Sequence, residues 1–128
     1  MVEREVIASN RAPQAVGPYS QAIKAGGLIF TSGQIPLNPA TGKIEATTVE
    51  GQTRQVLDNL RAVLEAAGSG LDRVVKATVF MTDLGSFKVM NGVYAEYFPA
   101  SPPARSAVQV AALPLGALVE IECVAMAG

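Results

Sequence analysis

Apolar residues recur along this 128-residue chain with two different periods, and the switches between them lay out its elements. The stretch 3–8, "EREVIA", predicts a short edge strand, and two prolines in the segment after it predict irregular backbone. "YSQAIKA" and "LIFTSGQI" are β-prone runs on either side of Gly26 and Gly27, which predicts a hairpin. "NPATG" at 38–42 predicts the next turn. The period then lengthens: Val56, Leu57, Leu60, Val63, Leu64 and Ala67 fall on one side of a helix. Thr47 and Glu50, at capping-box spacing, open that helix, and Gly68 and Gly70 close it. "VVKATVFMTD" at 74–83 is bulky and β-branched and predicts a buried strand. A second helix over 85–98 turns Phe87, Met90, Val93, Tyr94 and Tyr97 inward until Pro99 stops it. Gly92 in its middle costs about 1 kcal/mol against alanine, which predicts close packing there. "ARSAVQV" at 104–110 and "ALVEIECVAM" at 117–126 are the last strands. The short "LPLG" link predicts that these two pair as antiparallel neighbours.

Strands, helix, strand, helix, strands is the order expected of an α+β fold: a single mixed sheet with two helices packed on one face. Alternation puts Arg105, Ala107 and Gln109 on one side of their strand, and Leu118, Glu120, Glu122 and Val124 on one side of theirs. As antiparallel neighbours the two strands would bring Arg105 and both glutamates onto the polar face, away from the helices. An exposed ion pair there, worth about 0–1 kcal/mol, is the ordinary reading of such a pattern. Cys123 falls on the apolar side, as a buried small hydrophobe rather than a reactive thiol. The sheet face without helices is either wet or covered by other subunits, with Leu113, Leu118 and Val119 as a possible apolar rim.

Composition narrows the chemistry. At 49% hydrophobic residues the chain can build a core as one domain, 1–128. Ten basic against eleven acidic residues leave a net charge of −1, which gives no electrostatic footprint for nucleic acid. No apolar run approaches the roughly 20 residues of a membrane span. A charged N-terminus and a single cysteine point to a cytoplasmic location. There is no histidine, which removes Ser-His-Asp and Cys-His catalysis and histidine metal sites together. An acid or base must then be a carboxylate, a tyrosine, a lysine, Cys123 or a held water. Walker, G-x-G-x-x-G and C-x-x-C motifs are absent, and "GSG" at 68–70 reads as a helix stop.

"PARSAVQVAALPLGALVEIE" resembles the signature of the reactive-intermediate deaminase family, in its imine/enamine deaminase branch. "GPYSQAI", "TSGQIP", "QTRQVLDNLRAVLEAAG" and "VFMTDLGSFKVMNGVYAEYF" resemble it too, in the same order, from about residue 10 to residue 126. The resemblance implies a homotrimer of chorismate-mutase-like subunits with an active site in each subunit interface. It implies hydrolysis of 2-imino acids to 2-keto acids and ammonia, without metal or other cofactor.

Residue by residue, Arg105 matches the family's anchor for the substrate carboxylate, a role that suits a planar guanidinium. Glu120 matches the carboxylate that orients the attacking water or handles its proton, and Tyr19 the pocket tyrosine. Ser32 and Gly33 match residues lining the pocket, and Phe87 and Asn91 a wall supplied across the interface. Ala107 departs from the pattern, since the family commonly has cysteine there; the position is expected to contribute backbone polar groups, which alanine retains. Two other readings compete: a non-catalytic keto-acid-binding or chaperone-like trimer, and an endoribonuclease or translation inhibitor, which the charge and the lack of histidine disfavour.

Overall fold

The computed structural model describes residues 3–128. Its strands are β1 (Glu5–Ile7), β2 (Ala22–Ala25), β3 (Leu28–Thr31), β4 (Leu37–Asn38), β5 (Lys43–Ile44), β6 (Val74–Met81), β7 (Ala104–Gln109) and β8 (Val119–Met126). Two helices, α1 (Val49–Ala66) and α2 (Phe87–Tyr97), pack on one face of a six-stranded sheet ordered β1-β2-β3-β8-β6-β7. The expected α+β arrangement is therefore present. A two-stranded ribbon, β4–β5, stands where only a turn was expected.

Local chemistry accounts for most of the boundaries. Gly26 and Gly27 have φ of 59° and 79°, the left-handed pair that a two-residue hairpin demands. Helix α1 starts one residue later than the capping-box spacing indicated. Thr48, not Thr47, is its cap and accepts the Gly51 N–H at 3.1 Å. Glu50 reaches forward to Arg54 at 3.5 Å instead of back to the cap. The far end closes as a Schellman turn on Gly68, where Ser69 N–H donates to Leu64 O at 2.9 Å and Gly68 N–H to Glu65 O at 3.0 Å. Gly92 is not closely packed: a Cβ built there meets no atom within 4 Å, so its exposed site accepts a side chain.

Strand pairing corrects the largest expectation. β7 and β8 are not neighbours, because β6 lies between them, parallel to β7 and antiparallel to β8. The chain leaves β6, crosses over through α2 and returns as β7 beside it, as a parallel pair requires. β7 then stays on β6 to its end, with Val110 N–H donating to Met81 O at 2.8 Å. The "LPLG" link turns through a 3₁₀ segment, Pro114–Gly116, and carries the chain across to the other edge of β6.

That register decides which side chains share a face. Arg105, Ala77 and Cys123 form one row on the helix side, and Ala107 lines up with Val79 and Ile121 in another. Ser106, Thr78 and Glu122 form a row on the open side, as do Val108, Phe80 and Glu120. Arg105 and Glu120 thus stand on opposite faces of the sheet, not together on a polar one. The period of two fixes each strand's own alternation, but the partner register fixes which half faces the helices.

Ile29, Leu57, Leu60, Leu64, Val79, Met81, Met90 and Ile121 fill the core between sheet and helices, all essentially inaccessible to water. Val119 is buried with them, so it cannot serve as an outer rim. The open face carries Phe30, Val108 and Met126, exposed by 45%, 42% and 42%, with Glu120 and Glu122 among them. Among the described residues no helix is long and apolar enough to cross a membrane.

Candidate active site

Arg105 extends from β7, the sheet's edge, over the flank of α2. Its Nη1 donates to Asn91 Oδ1 at 2.7 Å, and its guanidinium carbon lies 4.8 Å from the Tyr94 ring centroid and 5.3 Å from that of Phe87. Positions 87, 91 and 94 fall on one helical face by their spacing, so α2 presents a ready-made bed of two rings and an amide. Aromatic faces attract a guanidinium and hold its plane without consuming its N–H donors. Among the described residues no carboxylate pairs with Arg105. It borders an open hollow of about 470 Å³ that also takes in Tyr94, Phe98 and Pro103. The Tyr94 hydroxyl is buried there without a hydrogen-bond partner, and burial raises its phenol above the ordinary value, against the pull of Arg105.

Glu120 occupies the other face. Its carboxylate lies directly over Gly33: a Cβ at that glycine would stand 2.8 Å from the Glu120 Cδ and 3.1 Å from its Cγ. A side chain at position 33 would displace the Glu120 carboxylate from this place. The contact is fixed from behind, since Gln34 N–H donates to Ile121 O at 2.9 Å and Ile121 N–H to Gln34 O at 3.2 Å. Ser32 beside it donates its hydroxyl to Ser20 O at 2.6 Å and its N–H to Gln21 O at 2.9 Å, tying the "TSG" segment to the chain after Tyr19.

Tyr19 is 48% exposed and shares with Ser32, Gly33 and Glu120 a hollow of about 490 Å³. The rest of that wall is apolar apart from Gln34: Pro13, Val16, Ile35, Leu37, Pro114 and Leu115. A more polar hollow of about 530 Å³ shares Tyr19 and Ser32 and continues onto the open face at Phe30. Desolvation, and after it the neighbouring Glu122 carboxylate, raise the Glu120 carboxyl above its ordinary value.

Comparison with known proteins agrees with this architecture. The family model described as Endoribonuclease L-PSP matches residues 9–127. The chain belongs to the Rid (endoribonuclease L-PSP) family. It is 54% identical over 124 residues to the chloroplastic Reactive Intermediate Deaminase A of Arabidopsis thaliana, covering 97% of this chain but only 66% of that longer relative. Among solved structures, the Rid-family protein YyfA of Yersinia pestis, a protein of unknown function, superposes with a TM-score of 0.94 at 50% identity, covering 97% of this chain and 99% of its own. TdcF of E. coli, solved with bound serine, superposes with a TM-score of 0.92 at 45% identity, covering 97% of this chain and 99% of its own.

Within this Rid-family chain the eight residues singled out from sequence fall into two groups. Tyr19, Ser32, Gly33 and Glu120 gather at one hollow. Phe87 and Asn91, expected as a wall supplied across the subunit interface, touch Arg105 of their own chain. Ala107 lies two residues beyond Arg105 on the same face, half-buried against the core. Its strand has a neighbour on one side only, so β7 keeps backbone donors and acceptors free along its outer edge. Two further residues border the site. Tyr94 reads from sequence as a core residue, although its spacing from Phe87 and Asn91 places it on their face of α2. Leu115 gives no such signal, because its left-handed backbone, φ 57°, is not written in residue type.

Proposed function

We propose that this chain hydrolyses 2-imino acids such as 2-iminopropanoate or 2-iminobutanoate to 2-keto acids and ammonia. It would do so in the cytoplasm without a cofactor, as a homotrimer whose active sites form between subunits. The observation that carries the reading is the isolated guanidinium. Arg105 is half-buried, braced by Asn91 and two rings, and unpaired with any described carboxylate. A cation so placed is a receptor for an external anion, and the planar carboxylate of a 2-imino acid fits it through two parallel hydrogen bonds. The name of the Arabidopsis relative and the serine bound by E. coli TdcF support a small substrate of amino-acid type.

Glu120 supplies the other half of the chemistry. Water adds to the carbon of the protonated imine and yields a proton to the Glu120 carboxylate, leaving a neutral carbinolamine. The carbinolamine takes that proton back on nitrogen, the C–N bond breaks as ammonia leaves, and Glu120 accepts the hydroxyl proton as the carbonyl forms and passes it to solvent. An elevated carboxyl pKa suits a group that must both accept and return a proton. Tyr19 and Ser32 line the cavity, and Gly33 lets the carboxylate approach the backbone.

One chain holds Arg105 and Glu120 on opposite sides of its sheet, too divided to grip one small molecule. A second copy on the open face, where Phe30, Val108 and Met126 are exposed, would cover apolar surface and bring an arginine bed toward a glutamate hollow. An endoribonuclease reading has the family model's description in its favour. Against it stand the net charge of −1, the lack of histidine, and two glutamates where a phosphodiester would have to sit.

Ammonia release from imine freshly generated by an amino-acid oxidase tests the proposal. Acceleration over buffer is expected. Keto-acid binding without acceleration would leave a non-catalytic binding trimer, and salt-sensitive RNA cleavage would restore the nuclease reading. A stable monomer at micromolar concentration on sedimentation would remove the shared site.

A further inference from the structure

The hollow beside Glu120 carries more information than the position of its carboxylate. Away from Tyr19, Ser32, Gln34 and Glu120 its walls are largely hydrocarbon, and Leu115 stands at the rim. Leu115 is 73% exposed and has φ 57°, one of two left-handed non-glycine residues among those described. A leucine in that conformation is disfavoured by its Cβ, and an exposed leucine gains nothing from burial in return. Glycine or asparagine would satisfy this backbone better. Strain of this kind, held at the mouth of a cavity, is a reason to look for a job done by the side chain.

We propose that Leu115 determines the substrate side chain, selecting 2-imino acids with a branched aliphatic chain, as derived from leucine, over the smallest ones. The inference rests on the imine-hydrolase reading of this site. Arg105 of a neighbouring copy takes the carboxylate, and the imine carbon must lie within reach of water held at Glu120. The third substituent is then left to the remaining wall, chiefly Val16, Ile35, Leu37, Pro114 and Leu115, with Gln34 as its polar side chain. Apolar area removed from water favours a four-carbon chain over a methyl group there. An acidic side chain is excluded twice, by that wall and by the charge of Glu120 and Glu122.

The test uses the intact protein, imines generated by an oxidase from leucine and from alanine, and calorimetry with 4-methyl-2-oxopentanoate and pyruvate. The leucine-derived imine should show kcat/KM higher by on the order of ten-fold or more. Leu115→Gly relaxes the backbone while deleting the side chain, and Leu115→Asn keeps the side-chain length without its apolarity. Both variants should lower that ratio several-fold, chiefly through a lower kcat/KM for the leucine-derived imine, and not lower the melting temperature. Equal kcat/KM for the two imines in the native protein, or an unchanged ratio in both variants, would overturn the assignment. So would dissociation of Leu115→Gly into inactive monomers, which would make Leu115 a subunit contact. If neither imine is hydrolysed, the hydrolase reading falls, and the two keto-acid affinities still decide the side-chain assignment: a preference for the branched acid that Leu115→Gly abolishes upholds it, and equal affinities overturn it.

Discussion

Cys123 and Glu120 lie three residues apart on β8, yet the sheet gives them opposite fates. Cys123 turns to the helix side, where burial pushes its thiol up to about 11 despite a contact from the Thr31 hydroxyl, and it remains an inert small side chain. Glu120 turns to the open side, where partial burial and Glu122 raise its carboxyl but leave it within reach of water in a hollow. The same contrast runs through the whole sheet. Side chains beneath the helices are fully buried and apolar, whereas those on the other face mix exposed hydrophobics with acids. Burial on the first face contributes stability. Incomplete burial on the second leaves apolar surface that one chain alone cannot cover.

Arg105 belongs to neither class. It is on the helix side by register but leans past the sheet edge onto α2, so its charge is held while only half-buried. The comparison is broken most severely there. Arg105→Ala should raise KM and abolish 2-keto-acid binding, a loss of roughly 30- to several-thousand-fold if the contact is desolvated in the complex. Glu120→Gln keeps the shape but not the charge, so keto-acid binding should survive while kcat falls by about 10²–10⁴. Calorimetry with pyruvate and stopped-flow hydrolysis separate the two effects. Normal keto-acid binding by Arg105→Ala would make the guanidinium structural.

A milder change sharpens the electrostatic half of the contrast. Glu122 is the second cause of the raised Glu120 carboxyl, after burial. As a base Glu120 must be ionised, so activity should rise with pH through its elevated pKa. Glu122→Gln should move that limb to lower pH without bringing it down to the ordinary carboxylate range. The stability sign is opposite to that of a salt-bridged acid. Because the native carboxyl binds its proton more tightly than the unfolded one, stability should increase as pH falls through the native pKa. Glu120→Gln should flatten that part of the stability–pH curve, as thermal melts from neutral to mildly acidic pH would reveal.

Smaller effects are expected where the structure shows room to spare. Gly92→Ala should stabilise the chain by about 1 kcal/mol, raising the melting temperature by a few degrees, since a methyl group there meets nothing. A destabilised variant would mean that another copy packs against that side of α2. Ala107→Cys should change imine hydrolysis by less than about three-fold, because the volume change is small and the backbone groups remain. A gain of several orders of magnitude would assign the thiol a catalytic role.

Amino-acid order alone made both helices, the hairpin at Gly26–Gly27, the helix stop at Gly68 and the principal strands legible. Each depends on signals within a few residues: a period, a cap, or a glycine able to adopt positive φ. The grouping of Tyr19, Ser32, Gly33 and Glu120 was legible only through resemblance, since those positions meet through contacts across up to a hundred residues of chain.

What the tertiary structure decided is the relation between strands. Alternation correctly sorted Arg105 from Ser106 and Glu120 from Ile121, but it contains no information about which strand lies alongside. Placing β6 between β7 and β8 put Arg105 on the helix side and Glu120 on the open side. Strand order is settled by where a crossover helix can pack and which edges can still pair, a balance summed over the entire sheet. A local pattern can therefore say what each strand offers, while only the assembled sheet says to whom.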